Sequence, residues 1–277
     1  MKLSFVITNY KTPELLKLCL KSIKENVGLD YSIVVADGET EGEYAADLKG
    51  IMPGLRYLPF RKNVGFPVLA NAGIERLKKE NSLGDFVLTM NSDMIIPKGE
   101  VEKMVAYLEQ NERIGALGPQ LLYFSKKPQN SCFRFYRPST IVYRRTFFGR
   151  TPWGKKELNR FLMNDCDKEK PQPVDWVMGS AIFIRKEVLE RVGLMDEKRF
   201  FMYFEDVDWC RRFWEAGYQV VFYPLAKLYH YHGSQSKKKG LIDIFFNKYT
   251  WIHIKSAFRY FRKWGLKNPK FKNQNLK

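Results

Sequence analysis

The sequence predicts an α/β fold, an open and mainly parallel sheet with helices on both faces. Three observations carry that expectation. Through the first 120 residues, apolar runs of strand length alternate with amphipathic stretches of helix length. Turn and cap residues such as Thr12-Pro13, Asp37-Gly38 and Gly217 stand where one period gives way to the other. With 45% apolar and 15% aromatic residues in 277, the chain can bury a full core, unlike disordered, collagen-like or disulfide-scaffold sequences.

The elements follow in order. Residues 3–8 form a short apolar strand. Thr12 then caps a helix that Pro13 opens, and Leu15, Leu16, Cys19, Leu20 and Ile23 give it one apolar face. Residues 32–36 and 55–58 are the second and third strands. A helix over about 67–80 precedes a strand at 86–90, and a helix over about 99–110 precedes a strand at 114–117. Residues 120–173 carry five prolines and the cluster Phe133-Arg134-Phe135-Tyr136-Arg137; they read as a long loop region with one helix near 155–163. Order returns with a strand at 181–184 and a helix at 186–192. The aromatic run Phe200-Phe201-Met202-Tyr203-Phe204 leads into Glu205-Asp206-Val207-Asp208. A helix over 209–216 stops at Gly217, and 219–223 and 227–230 close as strands.

Charge is unevenly spread. Lys plus Arg number 47 against 30 Asp plus Glu, a net +17, and residues 237–277 hold twelve of the basic residues and one acid, Asp243. On a helix there, Trp251, Ile254, Phe258 and Phe261 share one face while Lys248, Lys255, Arg259 and Arg262 share another. Three readings fit: a helix that packs its aromatics on the main domain, a helix drawn to an anionic membrane surface, and a nucleic-acid arm. The four cysteines form no Cys-x-x-Cys pair, the start of the chain shows no signal-peptide pattern, and no run of about 20 apolar residues occurs. A cytoplasmic location is expected, with peripheral contact at the inner membrane face.

In open α/β sheets ligands bind outside the carboxyl ends of the strands. That singles out Thr8-Asn9-Tyr10, Ala36-Asp37-Gly38 and Asn91-Ser92-Asp93. Asp93, at a strand end, suits Mg²⁺ or Mn²⁺ shared with a ligand phosphate, and suits a turn or helix cap equally. Glu205, Asp206 and Asp208 put three acids at a helix start, where they favour the helix dipole; behind an aromatic run they also suit general-base work. His230 and His232 fall on one strand face, as a metal pair or as a polar loop feature.

In sequence, Thr8-Asn9-Tyr10, Asp37, Asn63-x-Gly65-Phe66, Asn91-x-Asp93, Asp175-Trp176-x-x-Gly179, Asp196-Glu197, Glu205-Asp206-x-Asp208 and His230 resemble the motifs of family 2 glycosyltransferases, most of all the bacterial rhamnosyltransferase-like group. The resemblance runs from residue 3 to about 265, and it includes the basic helix around 256–263. Each motif alone is weak; eight in order are specific. The resemblance implies a GT-A fold, a Rossmann-like nucleotide-binding half with a mixed sheet fused to an acceptor half, over residues 1–236, with residues 237–277 as a basic helical extension. It implies transfer of a sugar, with inversion, from a nucleoside diphosphate to a hydroxyl of a glycan or lipid-linked glycan. Rhamnose from dTDP-rhamnose is the first expectation and a UDP-sugar the second.

By the same resemblance, Asp206 is the catalytic base, and Asp93 with His230 holds Mn²⁺ or Mg²⁺. Thr8, Asn9, Tyr10, Asp37, Asn63, Gly65, Phe66 and Asn91 lie along the nucleotide. Trp176 and Gly179 shape the sugar and acceptor pocket, and Glu205 and Asp208 support the base or touch the acceptor. Two positions depart from the family: Asn91 stands where the first metal acid is usual, and Ala36-Asp37 replaces Asp-Asn. A protein that only binds nucleotide or nucleic acid is the competing reading, motivated by the charge. The acids at Asp93 and 205–208 would repel phosphate without a metal, so nucleic acid is not expected as a partner.

Overall fold

The computed structural model describes residues 2–231, 247–267 and 269. The strands are β1 (Leu3–Tyr10), β2 (Tyr31–Gly38), β3 (Arg56–Phe60), β4 (Phe86–Asn91), β5 (Met94–Ile95), β6 (Ile114–Leu122), β7 (Cys132–Phe133), β8 (Gln172–Pro173), β9 (Trp176–Val177), β10 (Ala181–Arg185) and β11 (Gln219–His230). The helices are α1 (Pro13–Asn26), α2 (Ala45–Ile51), α3 (Phe66–Lys79), α4 (Glu100–Glu109), α5 (Pro138–Arg145), α6 (Pro152–Phe161), α7 (Lys186–Val192), α8 (Glu205–Glu215) and α9 (Lys248–Trp264).

The main sheet has the order β3-β2-β1-β4-β10-β6-β11-β5. β3, β2, β1 and β4 are parallel, the nucleotide-binding half expected of such a sequence. β10 runs antiparallel between β4 and β6, so the sheet is mixed from there on. Both faces are covered, which is why the strands read as continuous apolar runs. Alternate residues of β1 divide between the two sides: Phe5 and Ile7 meet α1 and α4, and Val6 meets α3.

Residues 120–173 hold more structure than a loop region. Pro138 and Pro152, taken as loop signals, each sit in the first turn of a helix, where a fixed φ assists and the missing N–H has no partner to lose. Buried Glu157 ties α5 to α6, accepting from the Thr140 hydroxyl, from Arg137 at 3.2 Å and from Arg160. Thr12 precedes α1 as expected, yet its hydroxyl donates to Asn9 Oδ1 at 2.7 Å and caps nothing. The two closing strands are one, β11, with a register shift across Pro224.

The C-terminal helix forms with the opposite face inward. Of the stripe expected to dock, Trp251, Ile254 and Phe258 are 54%, 36% and 67% exposed, and only Phe261 packs against the core. Thr250, His253, Ser256, Ala257 and Tyr260 are buried instead. The reason is polar: this side finds partners in the domain. Ser256 donates to the Met202 carbonyl (2.9 Å) and Trp264 Nε1 to Asp208 (2.7 Å), while small Ala257 lets the backbone close in. Lys237, Lys238, Lys239 and the rest of residues 232–246 lie outside the described residues.

Candidate active site

The carboxyl ends of β1, β2 and β4 converge, as the sheet requires. Asn9 Nδ2 donates to Asp37 Oδ1 (2.8 Å) and Tyr57 OH to Asp37 Oδ2 (2.7 Å). Asp37 is buried, and burial raises its carboxyl above the usual range against those two donors. These groups border a cleft of about 270 Å³ lined by Asn9, Lys11, Asp37, Gly38, Thr40 and Tyr44. Tyr57 was not legible in the sequence, because nothing in a short apolar strand marks one tyrosine as facing a carboxylate. Tyr10 OH donates to Glu39 at the same rim (2.7 Å), and Thr8 lies beside Asn91, 3.5 Å between side-chain oxygens.

Asn63 Oδ1 accepts the Gly65 N–H at 3.1 Å, folding the loop before α3. Gly65 has φ +89°, and a Cβ there would lie 2.2 Å from the Phe201 carbonyl oxygen. Only glycine fits. The next N–H, of Phe66, donates to that same carbonyl at 3.1 Å, so the loop is fastened to the aromatic run that precedes the acids.

β11 pairs antiparallel with β5, setting His230 opposite Met94, and the Tyr231 N–H donates to the Asp93 carbonyl at 2.8 Å. Two residues 137 apart in sequence are thereby brought together, His230 Nε2 lying 3.4 Å from Asp93 Oδ1. Gln129, buried, fixes the ring: its amide nitrogen donates to the His230 carbonyl (2.9 Å), which turns its oxygen toward Nδ1 (2.9 Å). With Nδ1 against that oxygen, the other ring nitrogen, Nε2, faces Asp93. Asp93 Oδ1 is itself buried without a hydrogen-bond donor. The set, one carboxylate and one imidazole, suits Mn²⁺ or Mg²⁺ completed by phosphate and water. His232 lies outside the described residues.

Tyr203 and Phe204 both take the left-handed conformation, φ 67° and 68°. Strain of this kind, of order 1–3 kcal/mol per residue, persists where surroundings over-determine it. Here Phe204 is wedged against Tyr136, His253 and Tyr260, with ring centroids 4.6, 5.2 and 5.4 Å away. The double turn launches α8 with Asp206 facing Gly179, whose N–H donates to Oδ2 at 3.0 Å; Val207 N–H holds Oδ1 at 2.8 Å. Burial raises the Asp206 carboxyl from 3.8 to about 6, and these donors oppose the rise. Glu205 is buried more deeply, and burial followed by the Asp206 charge holds it well above the usual carboxylate range. The two adjacent carboxyls are thus separated by environment, Glu205 being held further toward its neutral form than Asp206. Asp206 is also linked to the Asp93–His230 pair. Asn91 N–H donates to the Ser180 carbonyl (3.0 Å), and Ser180 follows Gly179.

Two expected contacts are corrected. Asp208 does not reach the acceptor: its side chain is fully buried and held by Arg212 (3.1 Å), Lys263 (2.7 Å) and Trp264 (2.7 Å), on the opposite side of α8 from Asp206. Trp176 is a core ring, stacked on Phe133 at 4.3 Å with Nε1 donating to the Arg134 carbonyl, because β9 pairs with β7 inside the aromatic lobe.

The model of glycosyltransferase-like family 2 matches residues 2–243. The chain is 36% identical to rhamnosyltransferase WbbL of Escherichia coli K12 over 269 residues, 91% of each chain. It is 28% identical to the N-acetylglucosaminyl-diphospho-decaprenol L-rhamnosyltransferase of Mycobacterium tuberculosis, covering 83% of this chain and 76% of that one. Among solved structures, GalNAc-T7 with UDP, GalNAc and Mn²⁺ superposes with a TM-score of 0.68 at 15% identity, over 95% of this chain and about half, 48%, of that one. The Pyrobaculum calidifontis mannosyltransferase with GDP-Man and Mn²⁺ gives 0.55 at 13%, over 96% and 76%. The shared fold is GT-A, and the chain belongs to the family 2 glycosyltransferases.

Proposed function

We propose that this glycosyltransferase moves rhamnose from dTDP-rhamnose to a hydroxyl of a lipid-linked glycan, with inversion, at the cytoplasmic face of a membrane. The observation that carries the reaction is Asp206: partly buried, aimed by two backbone donors, and raised by burial to about 6 beside the more deeply buried Glu205. A base poised just below the working pH is what abstraction of a hydroxyl proton needs. The rhamnose assignment is supported by the names of the relatives, among them a dTDP-rhamnosyl transferase of Shigella flexneri at 25% identity. The lipid-linked acceptor is supported by the decaprenol-linked substrate in the name of the mycobacterial relative.

The cleft at Asn9, Asp37 and Tyr57 takes the nucleoside, with the Asn63–Phe66 loop against it. Asp93 and His230 hold a divalent cation, which when bound neutralises charge on the departing diphosphate. Asp206 receives the acceptor proton as the acceptor oxygen bonds to the anomeric carbon and the bond from that carbon to the diphosphate oxygen breaks. Gly179 keeps the carboxylate in line. Residues 1–236 carry this chemistry, and residues 237–277 form an extension whose helix rests on it. No helix among the described residues is long and apolar enough to cross a membrane, so contact with lipid would be made by surfaces.

The test is release of nucleoside diphosphate from a panel of nucleotide sugars with Mn²⁺ or Mg²⁺, beside Asp206→Asn. Release of dTDP by the wild type alone is expected. Release of UDP instead would overturn the donor assignment. Absence of release, with no donor-induced thermal shift, would overturn the transferase reading.

A further inference from the structure

Two patches of exposed apolar surface stand on elements that touch. One is the turn joining α5 to α6, where Phe147, Phe148 and Trp153 are 61%, 48% and 76% exposed. The other is the outward face of α9, with Ile254 and Phe258. Arg145 donates to the Thr250 hydroxyl at 3.1 Å, which fixes the end of α5 beside the first turn of α9. Phe147 and Phe148 follow Arg145 closely, and their rings pair at 4.2 Å between centroids.

The turn is built, not loose. A Cβ on Gly149 would lie 2.2 Å from the Tyr143 carbonyl, and one on Gly154 would lie 2.2 Å from that of Phe148. Thr151 caps α6 by accepting the Gly154 N–H at 3.1 Å. Backbone packed this closely holds three large rings in water although the core lies behind them, an arrangement that burial alone does not favour.

The charge around them has one sign. Residues 134–164 contain eight Lys or Arg and a single acid, Glu157, which is buried and already paired. α9 adds Lys248, Lys255, Arg259 and Arg262 and no acid, its fifth basic residue, Lys263, being paired with Asp196 and Asp208. We infer that the α5–α6 turn and the outer face of α9 form one docking surface for an anionic phospholipid bilayer, the turn entering the headgroup region and the basic side chains meeting phosphate. Aromatic rings with a basic surround are the composition of an interfacial binder, and each basic residue near such a surface adds electrostatic attraction. A second copy of the chain would bring like charge against like. The surface adjoins the acid loop, since Tyr136, just before α5, packs on Phe204. Docking there places the cleft at the height of a lipid-borne acceptor; only this last consequence rests on the proposed acceptor.

The test uses the full chain and vesicles of phosphatidylcholine with or without about 30% phosphatidylglycerol, an anionic surface of the kind basic segments recognise. Wild type should sediment with anionic vesicles at least tenfold more strongly than with neutral ones. Phe147→Ser with Trp153→Ser, and separately Arg150→Glu with Lys155→Glu, should each lower that binding at least tenfold. Donor-induced thermal shift should be unchanged in both, which separates failure of docking from failure of the transferase reading. Brominated lipid should quench wild-type fluorescence more than that of Trp153→Phe. Equal binding to neutral and anionic vesicles, wild-type binding by either double variant, or equal quenching of the two proteins would overturn the proposal. So would single-stranded DNA that displaces the protein from vesicles at physiological salt, the mark of a nucleic-acid surface.

Discussion

Asp206→Asn separates chemistry from stability in opposite directions. With a carboxyl near 6, the ionised fraction is about 90% at pH 7 and about 10% at pH 5, so turnover should fall roughly tenfold over that interval. The substitution removes the base, and transfer should drop about 10²–10⁴-fold at about pH 7.5. The sign for folding is reversed. Between 3.8 and about 6 the native state binds more protons at this site than the unfolded chain, so stability falls as pH rises through that window and stays lowered above it. A rise from 3.8 to about 6 corresponds to an upper limit of roughly 3 kcal/mol. The asparagine variant forgoes that cost and keeps one acceptor for Gly179 or Val207. Its melting temperature at the same pH should therefore exceed wild type by a few degrees, about 2 °C per kcal/mol for a chain of this size. The difference should vanish below about pH 4. The assays are diphosphate release across about pH 4.5–8 and thermal melts over the same range. An acid limb that stays flat to pH 5, or a variant less stable than wild type near pH 7.5, would refute the assignment of a strained, desolvated base.

Three further outcomes follow from named contacts. Gln129→Leu removes the acceptor on His230 Nδ1 and should weaken Mn²⁺ binding about 10–100-fold in paramagnetic resonance titrations, with Gln129→Glu restoring it; unchanged affinity would remove Gln129 as the orienting group. Gly179→Ala puts a methyl group 3.1 Å from Asp206 Cβ and 3.2 Å from Oδ2, and should lower kcat about 10²-fold while donor affinity by calorimetry stays the same; loss in donor affinity alone would contradict the placement. Asp208→Ala strands Arg212, Lys263 and the Trp264 N–H, and should cost about 3–5 kcal/mol, on the order of 10 °C in a thermal melt; a shift under about 2 °C would show the network to be dispensable.

What the sequence discloses depends on whether local chemistry settles a residue's partner. The parallel half is legible because period and caps are local: 3–8, 32–36, 55–58 and 86–90 fall within β1 to β4 or within one residue of β3, and Pro13 opens α1 as its ring dictates. Asp93 and His230 can be paired from motif order, but Gln129 cannot, since a lone glutamine before a short strand carries no signal until β11 returns alongside β6. Asp208 misleads for the opposite reason. It stands two residues from Asp206, and a helix turns positions two apart by about 200°, so the nearer neighbour in sequence points the other way. Proline misleads too, because Pro138 and Pro152 look identical in composition whether they end a segment or begin a helix.

The inward face of α9 is the case where the sequence offered the wrong cue and physics the right one. Size favoured Trp251, Ile254 and Phe258, but what decides a helix face beside a polar catalytic loop is whether its partners can be met. Asp208, at zero exposure, needs donors, and Lys263, Trp264 and Arg212 supply them. Lys263 also reaches Asp196 at 3.0 Å, and the Arg211 guanidinium lies 4.4 Å from the centre of the Trp264 ring. The same helix lays His253 and Tyr260 under Phe204, the second residue of the strained turn. A left-handed pair would relax without such backing, and with it would go the angle at which α8 presents Asp206 to Gly179. The helix that began as a charge anomaly at the end of the chain is therefore part of what holds Asp206 in place, while Ile254 and Phe258 stay on its outward side.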